Sequence, residues 1–326
     1  MKPWIIAHRG VSLDRPENTI PAFQAAVQMG LDGVETDVQL TRDGKLVLHH
    51  NYTIDACSNG SGAISEMDYH QLRSYDYGSY AGEQWRGTTL PNLQEFWAVV
   101  KEMPMVNIEL KAPIDRSLPY VETVVQQLVD FGPCDNVIIS AFDHSLLARV
   151  KQLCPQCKVG ALVMPAGFAK TKLFGLMERY FPVDRLLVNA TRDDLRDMPL
   201  QALVAGEVDI PGRDARDAVA ELARQIGAVY PQATVRDAER ILAAQADLPA
   251  YIAQLEFEVE YLHCHYSAVL RDSTLVQRMQ QMGVQCNVWT PDRKTELDAL
   301  VNSGCSGIIT NRPDLLVEEG GLANGA

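Results

Sequence analysis

Three observations predict that this chain folds as a closed parallel α/β barrel of the TIM-like (β/α)8 kind. Short strand-like runs alternate with helical periodicity, there are eight such runs, and several carry charged residues where apolar ones are expected. A length of 326 residues suits one large barrel domain with insertions. The runs are Trp4–Ala7, Gly33–Leu40, Met105–Lys111, Asn136–Ala141, Lys158–Val163, Tyr261–His265, Gln285–Trp289 and Gly307–Thr310. Hydrophobic residues make up 47% and charged residues 22%, the balance of a globular chain with a sizeable core.

Local signals fill in the elements between these runs. Asn18 or Thr19 can cap a first helix, Pro21 suits its first turn and Gly30 can end it. Ile20, Phe23, Ala26 and Val27 then share one apolar face. Asp43-Gly44 between Val34–Leu40 and Lys45–His49 is a hairpin signal, so Leu46–His50 doubles back beside the second strand. Residues 51–89, rich in Gly, Ser, Tyr and Asp, read as a small insertion before a helix starting near Leu93. Residues 165–258, between the fifth and sixth barrel strands, are too many for one crossover helix. They read as a larger insertion with helical composition over Arg213–Ile226 and Val235–Ala246. The glycine-containing tail from Glu318 is expected to be disordered.

Composition narrows the function classes. A formal net charge of −13 disfavours attraction to nucleic acid and to anionic membrane surfaces. An anionic substrate would therefore need local positive charge. Met1 and Lys2 run almost directly into Trp4, leaving too little apolar length for a signal segment, and no stretch reaches the ~20 apolar residues of a membrane span. Seven scattered cysteines, an odd number, fit reduced thiols in a cytoplasm. Cys154-Pro155-Gln156-Cys157 has no second pair with which to build a zinc site and reads as a helix-to-strand turn. A homo-oligomer is compatible with all of this.

Charged residues inside barrel strands carry the chemistry. Glu35 and Asp37 share one face of the second strand, and Asn107, Glu109 and Lys111 share one face of the third. Two carboxylates ~4 Å apart repel by about 4 kcal/mol at an effective dielectric near 20. Three converging on a barrel mouth need a cation or must partly protonate, and an all-oxygen set suits Mg²⁺ or Ca²⁺. Read alone, each pair is a salt bridge, Glu109 with Lys111 or Glu35 with an arginine elsewhere. Together, at the ends of successive strands, they favour a metal site. His8 ends the first strand and His49-His50 ends the hairpin, so two imidazoles can serve as general acid and base. Alternation along the strand sends only one of His49 and His50 into the site. His263-Cys264-His265 reads as pocket lining or packing rather than as a metal motif. No P-loop, GxGxxG after a strand or GxSxG elbow is present.

An ordered set of motifs then resembles the glycerophosphodiester phosphodiesterase family. Ala7-His8-Arg9-Gly10, Pro16-Glu17-Asn18-Thr19, Gly33–Val38, Leu40–Gly44 and Val47–His50 come first. Leu90–Leu93, Asn107–Lys111, Ile139–Phe142, Val288-Trp289-Thr290 and Gly307–Asn311 follow, so that the match covers about residues 4–164 and 259–315. The resemblance implies that Glu35, Asp37 and Glu109 hold the metal and that His8 and His50 are the acid/base pair. It further implies that Arg9 and Lys111 contact the phosphate, that Trp289 lines the alcohol pocket and that Glu17 orients Arg9 or the metal shell. The implied reaction is hydrolysis of a small-molecule glycerophosphodiester to an alcohol and glycerol 3-phosphate, through a cyclic phosphate. Rival expectations are a lysophospholipid or other phosphodiester as substrate, and a weakened barrel that binds without turnover. Two departures stand out: the family's His-Asp is His50-Asn51 here, and its Leu-x-Arg-Thr-Thr is Ile54–Ser58, without the basic residue.

Overall fold

Nine strands form one sheet in the computed structural model, which describes residues 2–113, 115, 117–132, 134–163 and 247–317, with 199, 224, 232–234 and 237. They are β1 (Trp4–Ala7), β2 (Gly33–Leu40), β3 (Leu46–Leu48), β4 (Met105–Leu110), β5 (Val137–Ala141), β6 (Lys158–Val163), β7 (Tyr261–His265), β8 (Gln285–Trp289) and β9 (Gly307–Thr310). β1 pairs in parallel with both β2 and β9, which closes eight of them into a barrel. β3 lies outside this ring, antiparallel to β2, with Val38 opposite Leu48 and Leu40 opposite Leu46. The hairpin signal at Asp43-Gly44 is therefore met, and Gly44 takes the left-handed backbone (φ 74°) that the turn demands.

Helices follow the strands, as parallel neighbours require. They are α1 (Ile20–Gln28), α2 (Tyr69–Leu72), α3 (Leu93–Val100), α4 (Tyr120–Phe131), α5 (His144–Leu153), α6 (Leu248–Ala253), α7 (Tyr266–Arg271), α8 (Leu275–Gln281) and α9 (Lys294–Val301). α1 and α3 pack through Phe23 and Phe96, whose ring centroids lie 4.6 Å apart at 70°. The start of α3 is fixed by a reciprocal cap. Asn92 accepts from the Glu95 amide at 2.8 Å, and Glu95 accepts from the Asn92 amide at 3.0 Å. Burial of each large apolar side chain in these layers contributes roughly 1.5–3 kcal/mol. Residues 51–89 carry a small core of their own, in which Ile54, Ile64, Met67, Leu72 and Tyr77 pack with Val47 and Leu90.

Three expectations need correction or adjustment. β4 ends at Leu110, so Lys111 lies one residue beyond it, though its amide still donates to Val38 O at 3.2 Å. Of the two cap candidates, Thr19 is the N-cap of α1, without a side-chain bond to the helix, and Asn18 turns elsewhere. Cys154 and Cys157 do form the turn between α5 and β6, but as a disulfide, which corrects the expectation of reduced thiols throughout. Their Cα atoms are 5.5 Å apart, within the range a disulfide spans.

The chain divides into two compact units, 1–162 with 257–326, and Val163–Glu256. In the second, α6 is capped by Asp247, which accepts from the Ala250 amide at 3.3 Å, and it buries Tyr251 and Ile252. But for single residues, the helices expected over Arg213–Ile226 and Val235–Ala246 lie outside the described residues, as does the tail from Glu318. Among the described residues no helix is long and apolar enough to cross a membrane.

Candidate active site

Strand register brings the carboxylates together. β2 and β4 pair with Asp37 beside Glu109 and Glu35 beside Asn107, so adjacent strands deliver acidic groups to one end of the barrel. One oxygen from each of Glu35, Asp37 and Glu109 lies within 4.8 Å of the others. Burial raises the Glu35 carboxyl well above its ordinary range, and repulsion from Asp37 and Glu109 adds to this. Glu109 is also raised by burial, although Lys111 opposes the shift. Asp37 goes the other way. Burial alone would raise it, but His50, Lys111 and Arg9, with a hydrogen bond from Asn18, hold it low and ionised.

Two cations are threaded among these acids. Lys111 Nζ sits 3.0 Å from Glu109 Oε1 and 3.6 Å from Asp37 Oδ1. Although burial disfavours its charge, these two carboxylates keep Lys111 protonated. Arg9 reaches Glu17 Oε1 at 2.9 Å and Asp37 Oδ2 at 3.5 Å, while its backbone amide donates to Glu35 Oε2 at 3.0 Å. That last bond is available because Arg9 adopts φ 58°, an uncommon conformation for a residue with a Cβ. Asn18, at φ 55°, matches it across the loop, its amide donating to Arg9 O at 3.0 Å. Its side chain accepts from Thr36 Oγ1 at 2.8 Å and donates to Asp37 Oδ2 at 2.9 Å.

Both histidines at the strand ends are anchored through Nδ1. His8 Nδ1 bonds Asn311 Oδ1 at 2.7 Å, and Asn311 is oriented in turn by donating Nδ2 to Asp292 Oδ2 at 2.8 Å. With the amide fixed that way, His8 carries its proton on Nδ1, leaving the Nε2 lone pair 3.8 Å from Glu35 Oε2. His50 Nδ1 meets Asn51 Oδ1 at 2.9 Å. Burial keeps both rings neutral, His8 down to about 3 and His50 down to about 4. Of the hairpin pair, His50 interacts most strongly with Asp37 and also influences His8. His49 is buried against Tyr77, with ring centroids 6.0 Å apart, and its Nδ1 is tied to Asn51 O at 2.8 Å.

Trp289 stands at the C-terminal end of β8. Its indole donates to His263 O at 3.0 Å, and Phe142 and His265 meet its ring edge-to-face at 5.8 and 5.3 Å. The structure thus brings Glu17, Glu35, Asp37, Glu109, Arg9, Lys111 and His8 into a connected set, with His50 acting on Asp37 through charge and Trp289 in an aromatic group with Phe142 and His265. Sequence reasoning had no role for Asn311 or Asp292, and it saw in Asn18 only one of two helix-cap candidates. Only Asn51 had drawn notice, as a departure from His-Asp; here its amide oxygen is the partner of His50 Nδ1.

Comparison with known proteins gives a consistent result. A model of the glycerophosphoryl diester phosphodiesterase family matches residues 8–203 and 220–315. A glycerophosphodiester phosphodiesterase of Caldanaerobacter subterraneus subsp. tengcongensis is 28% identical over 318 residues, 97% of each chain. The probable glycerophosphodiester phosphodiesterase 1 of Mycobacterium tuberculosis is 48% identical over 169 residues, 47% of this chain and 61% of that one. Among solved structures, an Oleispira antarctica phosphodiesterase in complex with the product sn-glycerol-3-phosphate aligns with a TM-score of 0.62. Its identity is 21%, over 96% of this chain and 94% of that one, a likeness of fold.

Proposed function

This chain belongs to the glycerophosphoryl diester phosphodiesterase family, and from that premise we propose how its residues divide the hydrolysis of a glycerophosphodiester. The observation that carries the reading is the acidic cluster of Glu35, Asp37 and Glu109 flanked by two neutral, Nδ1-anchored histidines. Glu35, Asp37 and Glu109 would hold one divalent ion, Mg²⁺ or Ca²⁺. The donors are all hard oxygens, and Glu35 Oε1 and Asp37 Oδ1 are buried without a hydrogen-bond partner. Charge points the same way: with all four carboxyls ionised, as ligation of a cation would favour, Glu17, Glu35, Asp37 and Glu109 against Arg9 and Lys111 leave two negative charges. When bound, the ion supplies Lewis-acid neutralisation of the phosphoryl oxygens.

The protein's own groups do the rest. Arg9 and Lys111 present positive charge toward a phosphate, which lets a chain of net charge −13 hold an anion. Glu17 orients Arg9 through its 2.9 Å bond. His8 and His50 are the acid/base pair. One takes the proton of the neighbouring glycerol hydroxyl on Nε2 as that oxygen attacks phosphorus, and the other, once it has taken up a proton on Nε2 beside the bound anionic phosphodiester, gives that proton to the departing alcohol oxygen. Opening of the cyclic phosphate by water reverses the two roles. Trp289 lines the side on which the alcohol leaves.

The test is release of sn-glycerol 3-phosphate from glycerophosphocholine by the purified chain with Mg²⁺, with Ca²⁺ and with chelator. Metal-dependent turnover that is lost in His8→Ala and Glu109→Ala is the expected result. Turnover that survives chelation, or that either variant retains in full, would overturn these assignments.

A further inference from the structure

The interior of a parallel barrel is ordinarily filled by layers of branched apolar side chains. The lowest layer here keeps to that pattern, with Ile6, Met105, Ile138, Tyr261 and Ile309 packed together. Two residues further along the same strands, on the same inward face, the filling turns polar. Asn107 follows Met105, Ser140 follows Ile138 and His263 follows Tyr261, and Asn287 of β8 stands in register with His263. All four side chains are buried, each 1% exposed or less. The layer above is acidic: Glu109 lies two residues beyond Asn107 and in register beside Ser140.

Two of these polar groups, His263 and Asn287, meet directly inside the barrel. Asn287 Nδ2 donates to His263 Nε2 at 3.2 Å and lies 4.0 Å from Met105 Sδ on β4. His263 fills the space over Gly160, where a Cβ would come within 2.6 Å of its Nε2. Asn287 fills the space over Gly307 in the same way, with Oδ1 2.7 Å from where a Cβ would stand. The backbone has made room for two polar side chains in a place where a core normally takes Val or Ile.

Protein atoms alone do not satisfy this layer. Nε2 of His263 accepts from Asn287, so its proton is on Nδ1, and that donor meets no acceptor. Asn107 Oδ1 and Asn287 Oδ1 are acceptors that meet no donor, and Ser140 Oγ has neither. Buried polar atoms are rarely left so, and four in one layer point to a ligand. A cation would leave the His263 N–H unmet, and an anion would face two carbonyl oxygens. A small neutral molecule that both donates and accepts fits the whole set.

We propose that this middle layer is a built site for ordered water, a hydrated chamber lined by Asn107, Ser140, His263 and Asn287 beneath the acidic cluster. Its water donates to the two amide oxygens and accepts from His263 Nδ1–H, while Ser140 Oγ bonds it in either sense. The chamber gives the three carboxylates above a polarisable floor in place of hydrocarbon.

A crystal structure of the full chain at about 1.6 Å or better tests this, at a resolution where buried water is resolved. Expected is ordered density within hydrogen-bond distance of at least two of these four side chains. A dry interior, or side chains turned so that they satisfy one another, would overturn the proposal. Ser140→Ala, a small change that keeps the fold, gives a second measurement. If water satisfies the hydroxyl, its loss leaves the melting temperature at or below that of the parent. If the hydroxyl is an orphan, its removal raises the melting temperature by several degrees, and the chamber is not hydrated.

Discussion

Asn311 is the residue that sets the orientation of His8. It bonds Nδ1 at 2.7 Å and is itself fixed by Asp292, so removing it frees the ring to turn and to exchange tautomers. Asn311→Ala is expected to lower kcat about 10–100-fold with little change in KM, the range in which partners of a functional histidine act. Steady-state kinetics on glycerophosphocholine would check it, and an unchanged kcat would remove Asn311 from the account. His263 offers a separate test, in stability. Burial lowers it to about 3, against an ordinary value near 6.5, so below pH 6.5 the unfolded chain binds a proton that the folded chain refuses. Stability from this group is complete above pH 6.5 and falls as the pH drops toward 3. The expected loss between pH 6.5 and pH 5 is roughly 2 kcal/mol. Urea unfolding of His263→Gln beside the parent at both pH values should show the parent losing about that much more. Equal losses would mean that the folded protein accepts the proton.

At the level of single elements, the sequence was most legible where the chemistry is local. The reciprocal cap of α3 is such a case: Asn92 and Glu95 are three residues apart and satisfy each other's amides. Asn92→Ala should cost about 1 kcal/mol, read as a lower urea midpoint with an unchanged slope. Strands were legible too, and charges in apolar runs marked the residues that the barrel gathers into one cluster, Glu35, Asp37 and Glu109. Bounds slipped by a residue or two where ladder bonds run past the regular pairing, as with the Lys111 amide on Val38 O. The role of Asn18 was not legible, for a physical reason. An Asn before Pro21 is a reasonable helix cap, and nothing in the local sequence shows that its backbone turns to φ 55° and sends the amide to Asp37. The disulfide at Cys154 and Cys157 was open for a similar reason, because a turn can hold two thiols in either state.

On the scale of the whole molecule, the acidic cluster links ligand binding to folding. Three carboxylates that repel one another in the folded chain, and stand far apart in the unfolded one, make a site that only the folded chain offers. At 100 times its dissociation constant, a divalent ion should stabilise the protein by about 2.7 kcal/mol. Thermal melts with Mg²⁺, with Ca²⁺ and with chelator would show this as a rise in melting temperature that Glu109→Gln abolishes. Equal melts under all three conditions would count against a metal at this position. What no local reading could supply is the pairing of residues far apart in the chain. His8 and Asn311 are separated by 303 positions, and barrel closure alone makes them neighbours. That distance has a consequence during protein synthesis. A ribosome that has made His8, the carboxylates and His50 has assembled most of the chemistry, yet β9 and Asn311 have still to leave the exit tunnel. Products of stalled translation that stop short of residue 307 would lack both the strand that closes the barrel and the amide that holds His8.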